Sequence, residues 1–318
     1  MPDTGPFRTV EARSRRFALA AAAALALMAG AGPGLHPALA AGTGQSQRPV
    51  LHEATNSTIG ISDTTQGYTF DSSLSELPAD QVYRFRILRP DGMPQMDYLW
   101  DQTKLLHFLA VRNDFTHFFH VHPTLATDGT WSVHLPLDAP GPYQLYVDTL
   151  IKDSQGLPRH LVLRRPLMVP GGTFQLAPVV PAPGVSAQVD GYTITFNMSR
   201  ITTMDGTHLR QPKGWTVMYL PATVTYLGKP ATNLEPYLSV FAHFTAFNVA
   251  NDLYGHAHPL EYAGEGREGW PLSTMPTFHG GPTLTFHAEF PGAGDYRTFI
   301  EFQAGGSLHT ASLTLHVQ

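Results

Sequence analysis

There is no cysteine anywhere in the 318 residues. That absence removes disulfide crosslinks, lipid attachment through an N-terminal cysteine, the thiolate of a blue-copper site and every cysteine-based zinc site. Charged residues are sparse, at 14% of the chain, and acids outnumber bases for a formal net charge of −5. Without a basic surplus the chain does not suit a phosphate backbone, and no nucleic-acid partner is expected. Helical periodicity is missing beyond the N-terminal segment. The one long apolar run, Phe17 to Met28, is too short to span a bilayer and is followed by Gly30, Gly32 and Pro33. With no crosslinks, stability has to come from packed cores, and the chain is long enough for two of them.

The N-terminal residues read as a signal peptide over 1–40. Arg13, Arg15 and Arg16 form its basic region, the apolar run follows, and Ala38-Leu39-Ala40 is a small-residue cleavage site that leaves Ala41 as the new N-terminus. Ser14-Arg15-Arg16-Phe17 resembles a twin-arginine signal with its phenylalanine shifted by one position, so both the Sec and the Tat route stay open. The expected location is periplasmic or extracellular, with no membrane span in the mature chain. The removed segment carries Arg8, Arg13, Arg15 and Arg16 against Asp3 and Glu11, so the mature protein is more acidic still.

What is abundant is period-two alternation. Tyr83 to Leu88, Trp131 to Leu135, Tyr143 to Val147 and Thr283 to Ala288 each alternate between apolar and polar residues, and Pro, Gly, Asn or Asp bound them. This pattern predicts an all-β sandwich or barrel. The chain also repeats itself. His107 is followed thirteen residues later by His120-Val121-His122-Pro123, and His243 thirteen residues later by His256-Ala257-His258-Pro259. Pro94 and Pro230 precede the first histidine of each set by the same thirteen. Gly67-Tyr68-Thr69-Phe70 matches Gly191-Tyr192-Thr193-Ile194, and Pro140-Gly141-Pro142-Tyr143 matches Pro291 through Tyr296. Two copies of one β domain follow: residues 60–172 and 185–318, a Pro-rich linker over 173–184, and a flexible segment over 41–59. The second copy is longer between His258 and Tyr296, where it holds Trp270, Met275 and His279.

The histidine spacing suits a metal, because residues i and i+2 of a strand share a face. His120 and His122 therefore present both imidazoles on one side. A turn centred between Asn113 and Asp114 sets His107 directly opposite His120, with His122 diagonal to it. The second set, His243, His256 and His258, follows the same rule about a turn at Val249-Ala250. Its Asn251-Asp252 pair is displaced, which predicts a longer loop. A slip of one residue would move His107 to the opposite face. Three imidazoles with an open coordination position suit copper or zinc, and their affinity is expected to fall below about pH 6. Asp148 lies five residues after Tyr143 and Glu301 five after Tyr296, while His160 and His309 close the two halves. His160 and His309 are candidate fourth ligands. Asp148 and Glu301 are candidate ligands or acceptors that orient an imidazole. All four also suit surface positions at strand ends. His134, His287 and His316 read as solvent-face strand residues, His117, His208 and His279 have no assigned role, and Met93 and Met96 are read as packing rather than as thioether ligands.

These residues resemble a family of largely uncharacterised bacterial secreted proteins whose signature is a histidine, a short hairpin ending in HVHP and a Pro-Gly-x-Tyr strand. The resemblance runs from about Gly60 to Val317. It implies two tandem immunoglobulin-like or cupredoxin-like β-sandwich domains in an exported protein associated with heavy metals. Phe119-His120-Val121-His122 is also similar to the copper-ligand strand of copper–zinc superoxide dismutases. That likeness covers four residues, lacks the disulfide and the zinc loop, and reads as convergence.

Three functions are compatible with the sequence. The first is an exported metal-binding protein for copper or zinc buffering, delivery or resistance, with the metal ion and another exported metal-handling protein as partners. The second is a metal-dependent hydrolase or oxidoreductase with Asp148 or Glu301 as general base, for which no nucleophile–base pair is visible. The third is a metal-free cell-surface interaction module.

Overall fold

In the computed structural model, which describes residues 64–177, 181–198, 202–204, 216–260 and 279–318, every regular element of length is a β-strand and none of the described residues is α-helical. The expected signal peptide over 1–40 and the segment expected after it lie outside the described residues, as do His208, Trp270 and Met275. Among the described residues no helix is long and apolar enough to cross a membrane.

The first half contributes β1 (Thr64–Thr65), β2 (Tyr68–Asp71), β3 (Gln81–Leu88), β4 (Tyr98–Leu99), β5 (His107–Arg112), β6 (Phe118–Val121), β7 (Thr124–Leu125), β8 (Trp131–Leu135), β9 (Gly141–Lys152) and β10 (Pro158–Val169). The second contributes β11 (Ser186–Val189), β12 (Tyr192–Phe196), β13 (Thr202–Met204), β14 (Thr216–Tyr226), β15 (Lys229–Pro230), β16 (Leu234–Glu235), β17 (His243–Asn248), β18 (Tyr254–Ala257), β19 (Thr283–Phe290), β20 (Gly294–Ala304) and β21 (Ser307–Val317). Each half is two sheets. In the first, β1-β2-β3-β8-β7 faces β10-β9-β5-β6, which β4 extends by pairing with β9. In the second, β11-β12-β14-β13, joined by β15 and β19, faces β16-β20-β17-β18, joined by β21. The predicted tandem β-sandwiches are therefore present.

Alternation explains the layers. Tyr83, Phe85 and Ile87 of β3 point inward and are buried with Phe70, Phe108 and Trp131. Ile194, Leu220, Phe244, Phe286 and Ile300 do the same in the second core. The repeated Pro-Gly…Tyr element has a structural reason. The Tyr143 hydroxyl donates to the Ala139 carbonyl and the Tyr296 hydroxyl to the Gly292 carbonyl, each four residues upstream. This is the tyrosine corner of immunoglobulin-like sandwiches. Gly141 and Gly294 open the following strands at φ of 127° and 140°. There a side chain would be strained and would crowd Arg112 or Asn248.

The pattern departs from simple alternation in the strands that matter most. All residues of β5 (HFLAVR) and β17 (HFTAFN) are buried. Both faces of these strands are covered, because the two sandwiches dock through them. Leu109, Val111, Phe115, Tyr146 and Val162 of the first half form a third core with Phe247, Tyr254 and Phe299 of the second. Phe118 stacks on Phe299 at 4.3 Å and 9°, and Tyr146 on Tyr254 at 5.2 Å. Tyr146 also donates through its hydroxyl to the Asp252 carbonyl, 3.1 Å away. Each such buried aromatic or aliphatic side chain contributes roughly 1.5–3 kcal/mol by leaving water.

Candidate metal centre

The outward face of this inner pair of sheets carries the histidines. His107, Leu109 and Val111 of β5 point away from the first core, as do Phe118 and His120 of β6, while Phe108, Ala110, Phe119 and Val121 point into it. In the second half the outward residues are His243, Phe247, Tyr254 and His256, opposite Phe244, Ala246 and Ala257. His122 and His258 follow directly on the same faces.

The register differs from expectation by two. Leu109, not His107, pairs with His120, and Phe244 pairs with Ala257. The reason lies in the turn. Asp114 accepts from Arg112, from the Thr116 hydroxyl and from the Thr116 and Ala177 amides, while Phe115 adopts a left-handed φ of 58°. The loop thus closes with Arg112 N–H on the His117 carbonyl, over residues 113–116. The second loop closes with Asn248 N–H on the Leu253 carbonyl, over residues 249–252, so it is not longer than the first. A slip of two preserves the face, and the three histidines of each half still converge.

They converge at ligand distance. His107 Nδ1 lies 3.0 Å from His120 Nε2 and 3.3 Å from His122 Nε2. His243 Nδ1 lies 3.3 Å from His256 Nε2, and one nitrogen from each member of either triad falls within 4.8 Å of the others. Tetrahedral coordination at ~2.0–2.1 Å per Zn–N bond separates ligand nitrogens by roughly 3.3 Å. The outer nitrogens are held by groups that only accept. His107 Nε2–H donates to the Asp101 carbonyl at 3.2 Å, and His243 Nε2–H to the Tyr237 carbonyl at 3.3 Å. His120 Nδ1–H donates to Glu301 Oε2 at 2.6 Å, and His256 Nδ1 lies 3.4 Å from Asp148 Oδ2. These partners fix each tautomer, so in the neutral rings the lone pairs of His107 Nδ1 and His120 Nε2 point into the same space, as do those of His243 and His256. Both ring nitrogens of His258 are buried without a hydrogen-bond partner. Lone pairs this close repel unless a cation lies among them.

A proton is disfavoured in that role. Burial, with repulsion from neighbouring imidazoles, holds His107, His243 and His258 well below the ordinary histidine value. Burial, then His120, pushes His122 down to about 2. Protons therefore compete for these ligands only at lower pH than free imidazole implies. The second triad is the more enclosed: all of its members are buried, whereas His122 is half-buried. Gly255 stands where the first half has Phe119 because a Cβ there would lie 2.9 Å from the Glu289 carbonyl of β19.

The two carboxylates reach outer ring nitrogens and join neither triad. Asp148 sits beside His107 across β9–β5, and Glu301 beside His243 across β20–β17, yet each reaches a histidine of the other half. Burial alone would raise Asp148, but His160 and His256 beside it hold its carboxyl well below the usual range. His160 bonds Asp148 Oδ1 and belongs to neither triad. His309 is elsewhere, bonded to Asp190 and the Ala304 carbonyl and stacked on Phe302. Sequence reasoning missed Tyr254, whose hydroxyl donates to Asp148 Oδ2 at 2.8 Å; its signal was its place two residues before His256 on the same face. It also missed the carbonyls of Asp101 and Tyr237, six residues before the first histidine of each set, which carry no side-chain signal. His134 and His316 are exposed beside Asp80 and Asp295, His117 lies 3.6 Å from Asp138, His287 is half-buried against Tyr219, and His279 is exposed. Met93 and Met96 are exposed.

A family described as "Domain of unknown function (DUF8832)" matches residues 187–318, the second half. No curated protein matches the chain by sequence. Among solved structures, the chain is similar to a tetra-tandem repeat in the extending region of a large adhesion protein, at 11% identity and a TM-score of 0.20, over 81% of this chain and 48% of that one. It is also similar to a variant of Salmonella alpha-2-macroglobulin, at 10% identity and a TM-score of 0.24, over 81% of this chain and 15% of that one. The chain thus spans less than two thirds of either, and at these scores neither speaks to its site.

Proposed function

We propose that this is an exported metal-binding protein that holds copper or zinc at His107, His120 and His122 and at His243, His256 and His258, in a buffering, delivery or resistance role in the periplasm or outside the cell. What supports the reading is the pair of facing imidazole lone pairs in each half, 3.0 Å and 3.3 Å apart, with every outer nitrogen of those pairs directed at an acceptor. A metal-free interaction module would have no reason to bury such repulsion. All donors are imidazole nitrogens, a set that suits Cu(II), Cu(I) and Zn(II), with copper favoured where both are available. Equilibrium dialysis of the metal-stripped protein against Zn(II) or Cu(II) tests it. Each of the double variants His120→Ala/His122→Ala and His256→Ala/His258→Ala is expected to lose one equivalent. Full stoichiometry in both would sink the assignment.

A further inference from the structure

The two triads pack against each other at ring separations slightly longer than those within each, the longest being 6.2 Å between His107 and His243. Across the sandwich boundary, ring centroids lie 5.3 Å apart for His107 and His256, 5.5 Å for His120 and His243 and 5.7 Å for His120 and His256. Within the triads the corresponding separations run from 4.6 Å for His256–His258 to 5.6 Å for His243–His256. Four ring pairs thus meet across the boundary among the described residues. The orienting carboxylates are also exchanged: Glu301, from the second sandwich, holds His120 of the first, and Asp148, from the first, faces His256 of the second. Neither sandwich alone therefore carries a complete site.

We infer that the six histidines form one two-metal centre straddling the boundary between the sandwiches, in which each triad depends on a positioning carboxylate from the other half. The inference rests on the proposed metal binding and goes beyond it. The buried charge at the centre also has a sense. Asp148 and Glu301 are the two carboxylates beside the six rings, and His160 shares Asp148, so two divalent cations would exceed the carboxylate charge around them. Zinc is accordingly expected to fill the pair unequally, its second equivalent binding at least tenfold more weakly than its first.

Electron paramagnetic resonance of the full chain loaded with two equivalents of Cu(II) tests the arrangement without any substitution. A dipole-broadened spectrum with a half-field transition is expected; two magnetically isolated Cu(II) signals, or saturation at one equivalent, would overturn the inference while leaving metal binding intact. Uptake of neither Cu(II) nor Zn(II) would sink both. The crossing is read separately, in backgrounds that retain one triad. With His258→Ala, Glu301→Gln is expected to weaken Zn(II) binding 10–100-fold and by more than Asp148→Asn does. With His122→Ala the order reverses. A larger loss from the carboxylate of the same sandwich in either background would contradict the exchange.

Discussion

Acid should unfold the metal-free protein, and the structure sets how steeply. His107 and His243 are fully buried and His258 is 6% exposed, and all three are held well below the ordinary histidine value, chiefly by burial. In the unfolded chain each takes up a proton near pH ~6.5; in the folded protein it does not. The unfolded state thus binds more protons over the whole interval below pH ~6.5, and stability falls as pH falls. Each group contributes about 1.4 kcal/mol per pH unit, so the three together contribute about 4 kcal/mol per unit, and half-buried His122, pushed down to about 2, adds to the loss in the same sense. A typical domain stability of ~10 kcal/mol would be exhausted near pH ~4. Asp148 acts in the same sense at still lower pH, because its depressed carboxyl stabilises the fold only while ionised. The assay is urea unfolding in chelator, followed by intrinsic fluorescence at fixed steps from pH 7.5 to 4.5. The expected loss between pH 7.5 and 5.5 is about 4 kcal/mol at constant m-value, reduced by about a third in His243→Gln. Stability that stays level over that range would refute the reading of these imidazoles as buried and neutral.

Other expectations follow from the surroundings of the centre. Tyr254→Phe removes the hydroxyl that donates to Asp148 and should cost about 1.5–3 kcal/mol of apo stability by denaturant unfolding, with the larger loss of metal affinity in the second triad. Phe299→Ala removes the ring stacked on Phe118 and should cost about 3–5 kcal/mol, splitting the calorimetric transition as the sandwiches uncouple. A single sharp transition at wild-type temperature would show that this stack does not hold the halves together. Gly255→Ala places a Cβ 2.9 Å from the Glu289 carbonyl and should cost about 1–3 kcal/mol by the same assay.

The sequence carried the face of each histidine but not its partner. Period two is a property of the strand itself, so His120 with His122, and His256 with His258, were legible at once. Register is set by the turn, and there Asp114 and the left-handed Phe115 shifted the pairing by two. The docking of the sandwiches left one signal that was not used: HFLAVR and HFTAFN are apolar on both faces, which a half-exposed strand does not require. Asp148 and Glu301 were found by their shared offset from Tyr143 and Tyr296. Their exchange between the halves was invisible, because a repeat shows what its copies share and nothing of how they dock. His309 was read, like His160, from its place near the end of its half, and it ended beside Asp190, since β21 pairs it with Phe302 and turns it from the centre.

Metal binding at the six histidines is tested most directly by the metal content of the tag-free protein purified from an exported preparation, measured by mass spectrometry. Copper or zinc at up to two equivalents is expected, recovered on titration after stripping and reduced by one in each double-histidine variant. Protein that carries no metal and takes up neither Cu(II) nor Zn(II) would contradict it.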